Sequence, residues 1–387
     1  MKRIYLDNAA TTPIREEAKG AMLPYITKFF GNPSSLHGWG QDVRKSVENA
    51  REKVASLINA FPEEIYFTSG GTESNNFVLK GVYFALNKKG NHIITTSVEH
   101  HSIIEPLKFL EKQGVKVSYV KVDKYGRVDP DDIRKEITPK TILLSVMHAN
   151  NEVGTIQPIE EISKIAKEHG IYFHTDAVQS PGYLSIDVRK LNIDLLTLSA
   201  HKFYGPKGIG ALYISKGVKI SPIIHGGQQE RDRRAGTENV IGIIGIGKAA
   251  EYIQKEMRKE TKRICSLRDK LIKGILKEVD DVYLNGHPSL RLANNVHFSV
   301  KYIEGEAMLL YLDKAGVACS TGSACSSSSL EPSHVLLAMG ISEELAHSSI
   351  RFTLGKYTTN SDIDYVLKIF PPIVRRLRRM SPLFKTN

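Results

Sequence analysis

The sequence predicts an α/β protein with a mainly parallel central sheet in a large lobe and a smaller α/β lobe beside it. Three observations carry this. Residues 60 to 215 alternate short β-rich runs with longer helical patterns, the mark of βα units. The chain, at 387 residues, exceeds what one hydrophobic core usually supports. Past residue 245 the alternation gives way to one long amphipathic stretch followed by mixed elements.

Within the alternating region, Glu64 to Thr68, His92 to Thr96, Thr141 to Met147 and Ile171 to Thr175 read as strands, each rich in β-branched or aromatic residues. Between the last two, Pro158 to His169 sets Ile159, Ile162, Ile165 and Ala166 at helical spacing, with Gly170 behind them as a terminator. Residues 245 to 278 form a charge-rich helical stretch. Asn295 to Val300 then reads as a strand, Gly305 to Lys314 as a helix and Ser349 to Leu354 as a strand. The expected division is a large lobe over residues 15–257 and a small lobe made of residues 1–14 and 258–387. No repeat is present, and the nearest approach to low complexity is Ser326 to Ser329.

Apolar residues make up 41% and charged residues 25%, the balance of a chain folded throughout. The 53 Lys and Arg against 42 Asp and Glu give a charge of +11, which favours anionic partners. Arg375, Arg376, Arg378 and Arg379 cluster near the C-terminus; a solvated helix face is the ordinary reading and a docking surface the alternative. Cys265, Cys319 and Cys325 have no C-x-x-C spacing, so a reducing compartment is expected and neither a disulfide framework nor a zinc ribbon is indicated. Asp7 interrupts the N-terminus before an apolar core could form, and no run of about 18 apolar residues follows, so the expected location is cytoplasmic, with no membrane partner.

Ligands of open α/β sheets sit beyond the C-terminal strand ends, and those positions are polar here. After the run ending at Thr68 comes Ser69-Gly70-Gly71-Thr72-Glu73-Ser74-Asn75-Asn76 and then an apolar helical pattern from Phe77. Such a turn suits a phosphate through free N–H groups and the helix dipole, or is a plain capped turn. Asp176 follows Ile171 to Thr175. Lys202 follows Leu195-Leu196-Thr197-Leu198 and Ser199-Ala200-His201. Taken singly, these are a capping Asp and a surface Lys. Beside a phosphate turn they match what pyridoxal 5'-phosphate needs: an amine for its aldehyde and a carboxylate for its ring nitrogen.

The segment Ser199-Ala200-His201-Lys202-Phe203-Tyr204-Gly205-Pro206 resembles the lysine segment of NifS and IscS type cysteine desulfurases, which are fold-type I pyridoxal-phosphate enzymes. Tyr5-Leu6-Asp7-Asn8-Ala9-Ala10-Thr11-Thr12-Pro13, Gly31-Asn32-Pro33-Ser34-Ser35, Glu99-His100, Asn150-Asn151-Glu152-Val153-Gly154, Arg234-Ala235-Gly236-Thr237 and Ser320-Thr321-Gly322-Ser323-Ala324-Cys325 resemble family segments in the expected order. The resemblance implies that Lys202 holds the cofactor, that Gly71, Thr72, Ser199 and His201 hold its phosphate, and that Asp176 pairs with the ring nitrogen. It further implies that Gln179 reaches the ring hydroxyl, His100 stacks on the ring and Asn151 completes the polar contacts. Thr237 would reach the phosphate in a partner subunit, making a homodimer. Arg351, with Asn151, would hold the carboxylate of L-cysteine. Ordinary readings stand beside these: His100 as a satisfied histidine, Asn151 as a turn residue, Gln179 as a helix-surface amide, and Arg351 as half of an ion pair.

Cys325 separates this group from aminotransferases, which need the lysine and aspartate alone. It stands among small residues with no apolar anchor before Leu330, where no core could pack, whereas Cys265 and Cys319 read as structural. The implied reaction converts L-cysteine to L-alanine, with Lys202 moving the α-proton, His100 as a second acid or base, and the sulfur left as a persulfide on Cys325. Family usage implies an iron–sulfur scaffold protein or a thiolation enzyme as acceptor; no resident metal is expected, and whether Cys325 serves as a transient iron–sulfur ligand is left open by the sequence. The competing enzyme readings are a selenocysteine lyase or an aminotransferase of the same fold. A basic nucleic-acid-binding scaffold accounts for the charge but leaves Lys202, Asp176 and Cys325 without a purpose, so no direct nucleic-acid contact is expected.

Overall fold

A computed structural model describes residues 3–321 and 331–384; Cys325 and the serine run after it lie outside the described residues. In chain order the strands are β1 (Ile4–Tyr5), β2 (Ile65–Thr68), β3 (His92–Thr96), β4 (Lys116–Val120), β5 (Thr141–Ser145) and β6 (Tyr172–Asp176). They continue with β7 (Leu195–Ser199), β8 (Gly210–Ile214), β9 (Val282–Leu284), β10 (Asn295–Val300), β11 (Val317–Ala318) and β12 (Ser349–Thr353).

A 7-stranded sheet runs in the order β2-β8-β7-β6-β5-β3-β4. Its members from β7 to β4 pair in parallel. Strand β8 lies antiparallel to both neighbours. The reversal follows from connection length, since residues 200–209 are too few for the crossover that a parallel return requires. Helices cover both faces, so β3, β5 and β7 are buried at every position and show no polar-to-apolar alternation between faces. Gly71–Leu86 and His101–Glu111 pack Phe77, Val82, Ile103 and Leu107 on one face. Gly38–Leu57, Ile159–Glu168 and the start of Val240–Glu278 pack Val47, Val54, Ile162 and Ile246 on the other.

A second, antiparallel sheet of β12, β10 and β9 has its own core around Val296, Phe298, Phe352 and Phe370. The N-terminal β1 joins β11 in parallel next to it. One continuous helix, Val240–Glu278, serves both cores: Ile243, Ile246 and Ile253 face the first, and Ile264, Leu271 and Ile275 face the second.

Several boundaries differ from expectation for local reasons. Strand β2 starts at Ile65 because Pro62–Glu64 forms a 3₁₀ turn. The long helix begins at Val240, not 245, with the Asn239 side chain accepting from the Gly242 amide at 3.1 Å. Its apolar periodicity is masked there by Gly247, where a Cβ would stand 2.6 Å from that of Ala50, so that two helices can touch. The helix after β2 begins at Gly71, placing most of the polar turn inside its first two turns. Of the C-terminal arginines, Arg375, Arg376 and Arg379 are exposed on the helix Asn360–Met380, but Arg378 is buried. It is not part of a solvated face: its guanidinium donates to the carbonyls of Asp280 at 2.7 Å and Lys301 at 3.2 Å.

Candidate active site

A cavity of about 370 Å³ opens where the strand ends meet the N-terminal segment and β12. Its wall contains Gly71, Thr72, His100, Asn151, Asp176, Gln179, Ser199, His201, Lys202 and Arg351. Two expected residues are elsewhere. Thr237 is exposed and outside this cavity, and Cys325 is outside the described residues.

At one end lies the start of the helix Gly71–Leu86. Gly70 before it has φ +154°, a backbone region in effect reserved for glycine, and offers no side-chain cap. A Cβ on Gly71 would approach Val178 Cγ2 to 3.0 Å and Ser199 Cβ to 3.7 Å, so the glycine keeps a concavity open beside the Ser199 side chain. His201 adjoins it, its Nδ1 paired with Thr11 Oγ1 at 3.1 Å. Burial, and then Lys202 and Lys207, push the His201 imidazole down to about 4, so it is neutral near pH 7.

Asp176 ends β6 with its carboxylate already oriented. Oδ1 accepts from the Val178 amide at 3.0 Å and Oδ2 from Asn75 Nδ2 at 2.7 Å. The second N–H of the Asn75 amide goes to Ser102 Oγ at 2.8 Å. With that lone pair taken, the serine hydroxyl proton points to His100 Nδ1 at 2.8 Å, and the Ser102 amide also donates to Nδ1 at 3.1 Å. Nδ1 is therefore an acceptor, and the neutral ring carries its proton on Nε2. Burial lowers the His100 pKa, partly countered by the charge of Asp176.

Lys202 sits in the 3₁₀ turn Ala200–Lys202 directly after β7. Its Nζ donates to the Ala9 carbonyl and, at 2.8 Å, to that of Ala10. Gln179 is in the turn after β6 rather than on a helix, and its amide donates to the same Ala9 carbonyl at 3.1 Å. The N-terminal segment is fastened in turn by Thr12, whose amide and hydroxyl both donate to the His201 carbonyl, at 2.8 and 2.9 Å. Across the cavity Arg351 on β12 is buried, giving Nη1 to the Asn151 carbonyl at 2.9 Å and Nη2 to Asp7 Oδ1 at 3.1 Å. It is thus half of an ion pair, and its buried Nε has no hydrogen-bond partner among the described residues.

Sequence reasoning had no role for Asn75, for the Ala9 and Ala10 carbonyls, or for Asp7. Asn75 was within reach of it, since four residues past Gly71 is the same helix face. His334 was missed as well: it lines the cavity, bonds the Glu99 carbonyl at 2.9 Å and lies 4.9 Å, ring to ring, from His101. Cys265 and Cys319 are half-buried against the second core, and burial raises the Cys319 thiol far above its ordinary value. Cys319 is therefore unsuited to act as a nucleophile.

A cleft at the ends of parallel strands, with a lysine, an oriented carboxylate and an open helix start, defines a pyridoxal-phosphate enzyme of fold-type I. The sequence matches the family described as aminotransferase class-V over residues 4–366, and the chain belongs to that family. Among its members it is similar to the proteins named cysteine desulfurase IscS. That of Dictyoglomus turgidum is 60% identical, with 99% of this chain and 97% of the relative covered. That of Methanosarcina thermophila is 57% identical, with 99% and 94% covered. A solved NifS-like protein superposes with a TM-score of 0.92 at 40% identity, covering 97% of this chain and all of that one.

The cofactor of the family, pyridoxal 5'-phosphate, fits the side chains present. The Gly71 concavity and uncapped helix start offer amide donors for a phosphate, Asp176 presents a carboxylate for a ring nitrogen, and Lys202 supplies the amine.

Proposed function

We propose that the protein converts L-cysteine to L-alanine and passes the sulfur through a persulfide on Cys325 to an acceptor protein. The opening of Lys202, Asp176 and Arg351 onto one cavity supports this most directly. When bound, pyridoxal phosphate supplies an aldehyde for the substrate amine and a ring that withdraws electrons from the substrate α-carbon. Gly71, Thr72, Ser199 and His201 would hold its phosphate, Asp176 its ring nitrogen and Gln179 its ring hydroxyl, and His100 would stack on the ring.

Arg351 binds the substrate carboxylate with the donors left over from Asp7 and Asn151, and Asn151 flanks the same group. The Lys202 amine takes the proton from the α-carbon and returns it. His100, with its proton on Nε2, donates toward the substrate sulfur. The Cys325 thiolate attacks that sulfur: an S–S bond forms, the Cβ–S bond breaks, and its electron pair ends as a C–H bond of the alanine methyl group. One L-cysteine and one thiol thus give one L-alanine and one persulfide, with no outside oxidant.

The active unit is a homodimer in this reading, with Thr237 completing the phosphate site of a second copy. Leu23, Ile26, Phe30, Leu36 and Trp39 are all exposed, Leu36 at 92%, and the Phe30 and Trp39 rings stack at 5.2 Å, which supports such a contact. The chain is read as a large lobe over residues 15–257 and a small one of the remainder. A reducing compartment such as the cytoplasm keeps Cys325 reduced; among the described residues no helix is long and apolar enough to cross a membrane. The acceptor is an iron–sulfur scaffold or a thiolation enzyme.

The test is alanine release from L-cysteine with mass spectrometry of the protein. Wild type is expected to release alanine and gain one sulfur atom on Cys325; Cys325→Ala should lose both while still binding the cofactor, and Lys202→Ala should lose the cofactor's visible absorbance band. Undiminished alanine release by Cys325→Ala would refute the mechanism. Light scattering that finds only monomers would refute the dimer.

A further inference from the structure

Between β8 and the long helix the backbone makes a turn of left-handed helix, with Glu230, Arg231 and Asp232 at φ 44°, 55° and 63°. None is a glycine, and L-residues adopt three such conformations in a row only where their surroundings enforce it. Enforcement here is explicit. The Glu230 carboxylate is buried and receives Arg51 Nη1 at 2.7 Å, Arg51 Nη2 at 2.9 Å and the Phe67 amide at 2.8 Å. Arg233 then donates to the Ile220 carbonyl at 2.6 Å, and the Gly236 amide to Gln229 Oε1 at 3.0 Å.

The turn delivers Arg234 to Glu73. The guanidinium gives Nε to Oε1 at 2.9 Å and Nη2 to Oε2 at 3.2 Å, with side-chain exposures of only 23% and 12%. Glu73 is in the first turn of Gly71–Leu86, and its Oε2 also accepts the Ser69 amide at 2.9 Å. A carboxylate there helps hold the glycine turn in shape, but its charge sits in the same helical turn that must receive a phosphate dianion. Left alone, it would compete for the positive end of the helix and repel the ligand.

We infer that Arg234 is a positioning residue that neutralises Glu73, so that this carboxylate can brace the Ser69-Gly70-Gly71 turn without repelling the cofactor phosphate. The assignment rests on the pyridoxal-phosphate reading of the cavity. It gives the left-handed turn a purpose: the buried Arg51–Glu230 pair fixes where the segment crosses, and the crossing point is the phosphate turn.

The experiment is titration of cofactor-stripped full-length protein with pyridoxal phosphate and, separately, with pyridoxal, which lacks the phosphate, following protein fluorescence. Arg234→Ala should weaken pyridoxal phosphate about tenfold while leaving pyridoxal within about twofold. Adding Glu73→Gln to it should restore most of the loss, and Arg234→Lys, which keeps the charge and guards against misfolding, should bind nearly as wild type does. Equal weakening of both ligands, no weakening, or no recovery in the double variant overturns the inference and leaves the cofactor reading standing. Wild-type protein that binds neither ligand overturns both.

Discussion

Replacing Glu230 by glutamine removes one charge and almost no volume, and its cost can be worked from the contacts. The carboxylate is 3% and its partner Arg51 5% exposed. After substitution Arg51 keeps the Ile65 carbonyl at 2.8 Å and the Phe67 ring at 4.7 Å, neither of which carries a compensating charge. Breaking a buried ion pair by losing one partner costs about 3–5 kcal/mol, because the remaining ion stays desolvated. Glu48, 3.2 Å from Arg51 Nε but 43% exposed, recovers at most about 1 kcal/mol of that. The expected loss is therefore about 2–4 kcal/mol, read as a lower urea midpoint at unchanged slope. The double variant Arg51→Met with Glu230→Leu removes both ions and should be more stable than Glu230→Gln. A loss under about 1 kcal/mol for the single variant, or a double variant no better than it, would show that this pair does not hold the turn.

Asp232→Gly relieves one left-handed L-residue and should raise stability by about 0.5–1 kcal/mol after the glycine's unfolded-state entropy is subtracted, measurable in the same melts. Asn75→Ala takes one hydrogen bond from Asp176 and one from Ser102, and should weaken pyridoxal phosphate binding about tenfold in fluorescence titration; binding unchanged within twofold would remove Asn75 from the site. Glu99 is held up to about 8 by burial, so between about pH 4.5 and 8 its carboxyl ionises in the unfolded chain but not in the folded one. Stability should fall across that window by up to about 1.4 kcal/mol per pH unit from this group. Glu99→Gln should match wild type at pH 4.5 and exceed it at pH 8; parallel stability curves would contradict the shift.

Much of this was written in the sequence because the parallel sheet carries plain signals. His92 to Thr96 and Asn295 to Val300 matched their strands at both ends, the first rich in β-branched residues and the second alternating polar with apolar ones. Asp176 and Lys202 were legible because strand ends and cofactor chemistry coincide. What escaped was non-local. The antiparallel turn of β8 depends on a short loop, the burial of Arg378 on carbonyls nearly a hundred residues away, and the support of Lys202 on main-chain oxygens of the N-terminal segment, which have no residue-type signature. The Arg234–Glu73 contact joins positions 161 residues apart that periodicity cannot relate.

The helix Val240–Glu278, 39 residues and about 58 Å long, also bears on which amino acids the enzyme accepts. Lys202 stands just past β7 in the sheet packed against its first half and Arg351 on the sheet packed against its second, so both are braced on one strut. The gap between amine and guanidinium then works as a calliper with little play. A substrate whose proton-bearing carbon and carboxylate are one methylene further apart must buckle or forgo part of the grip, a discrimination of about 1–3 kcal/mol against β-amino acids.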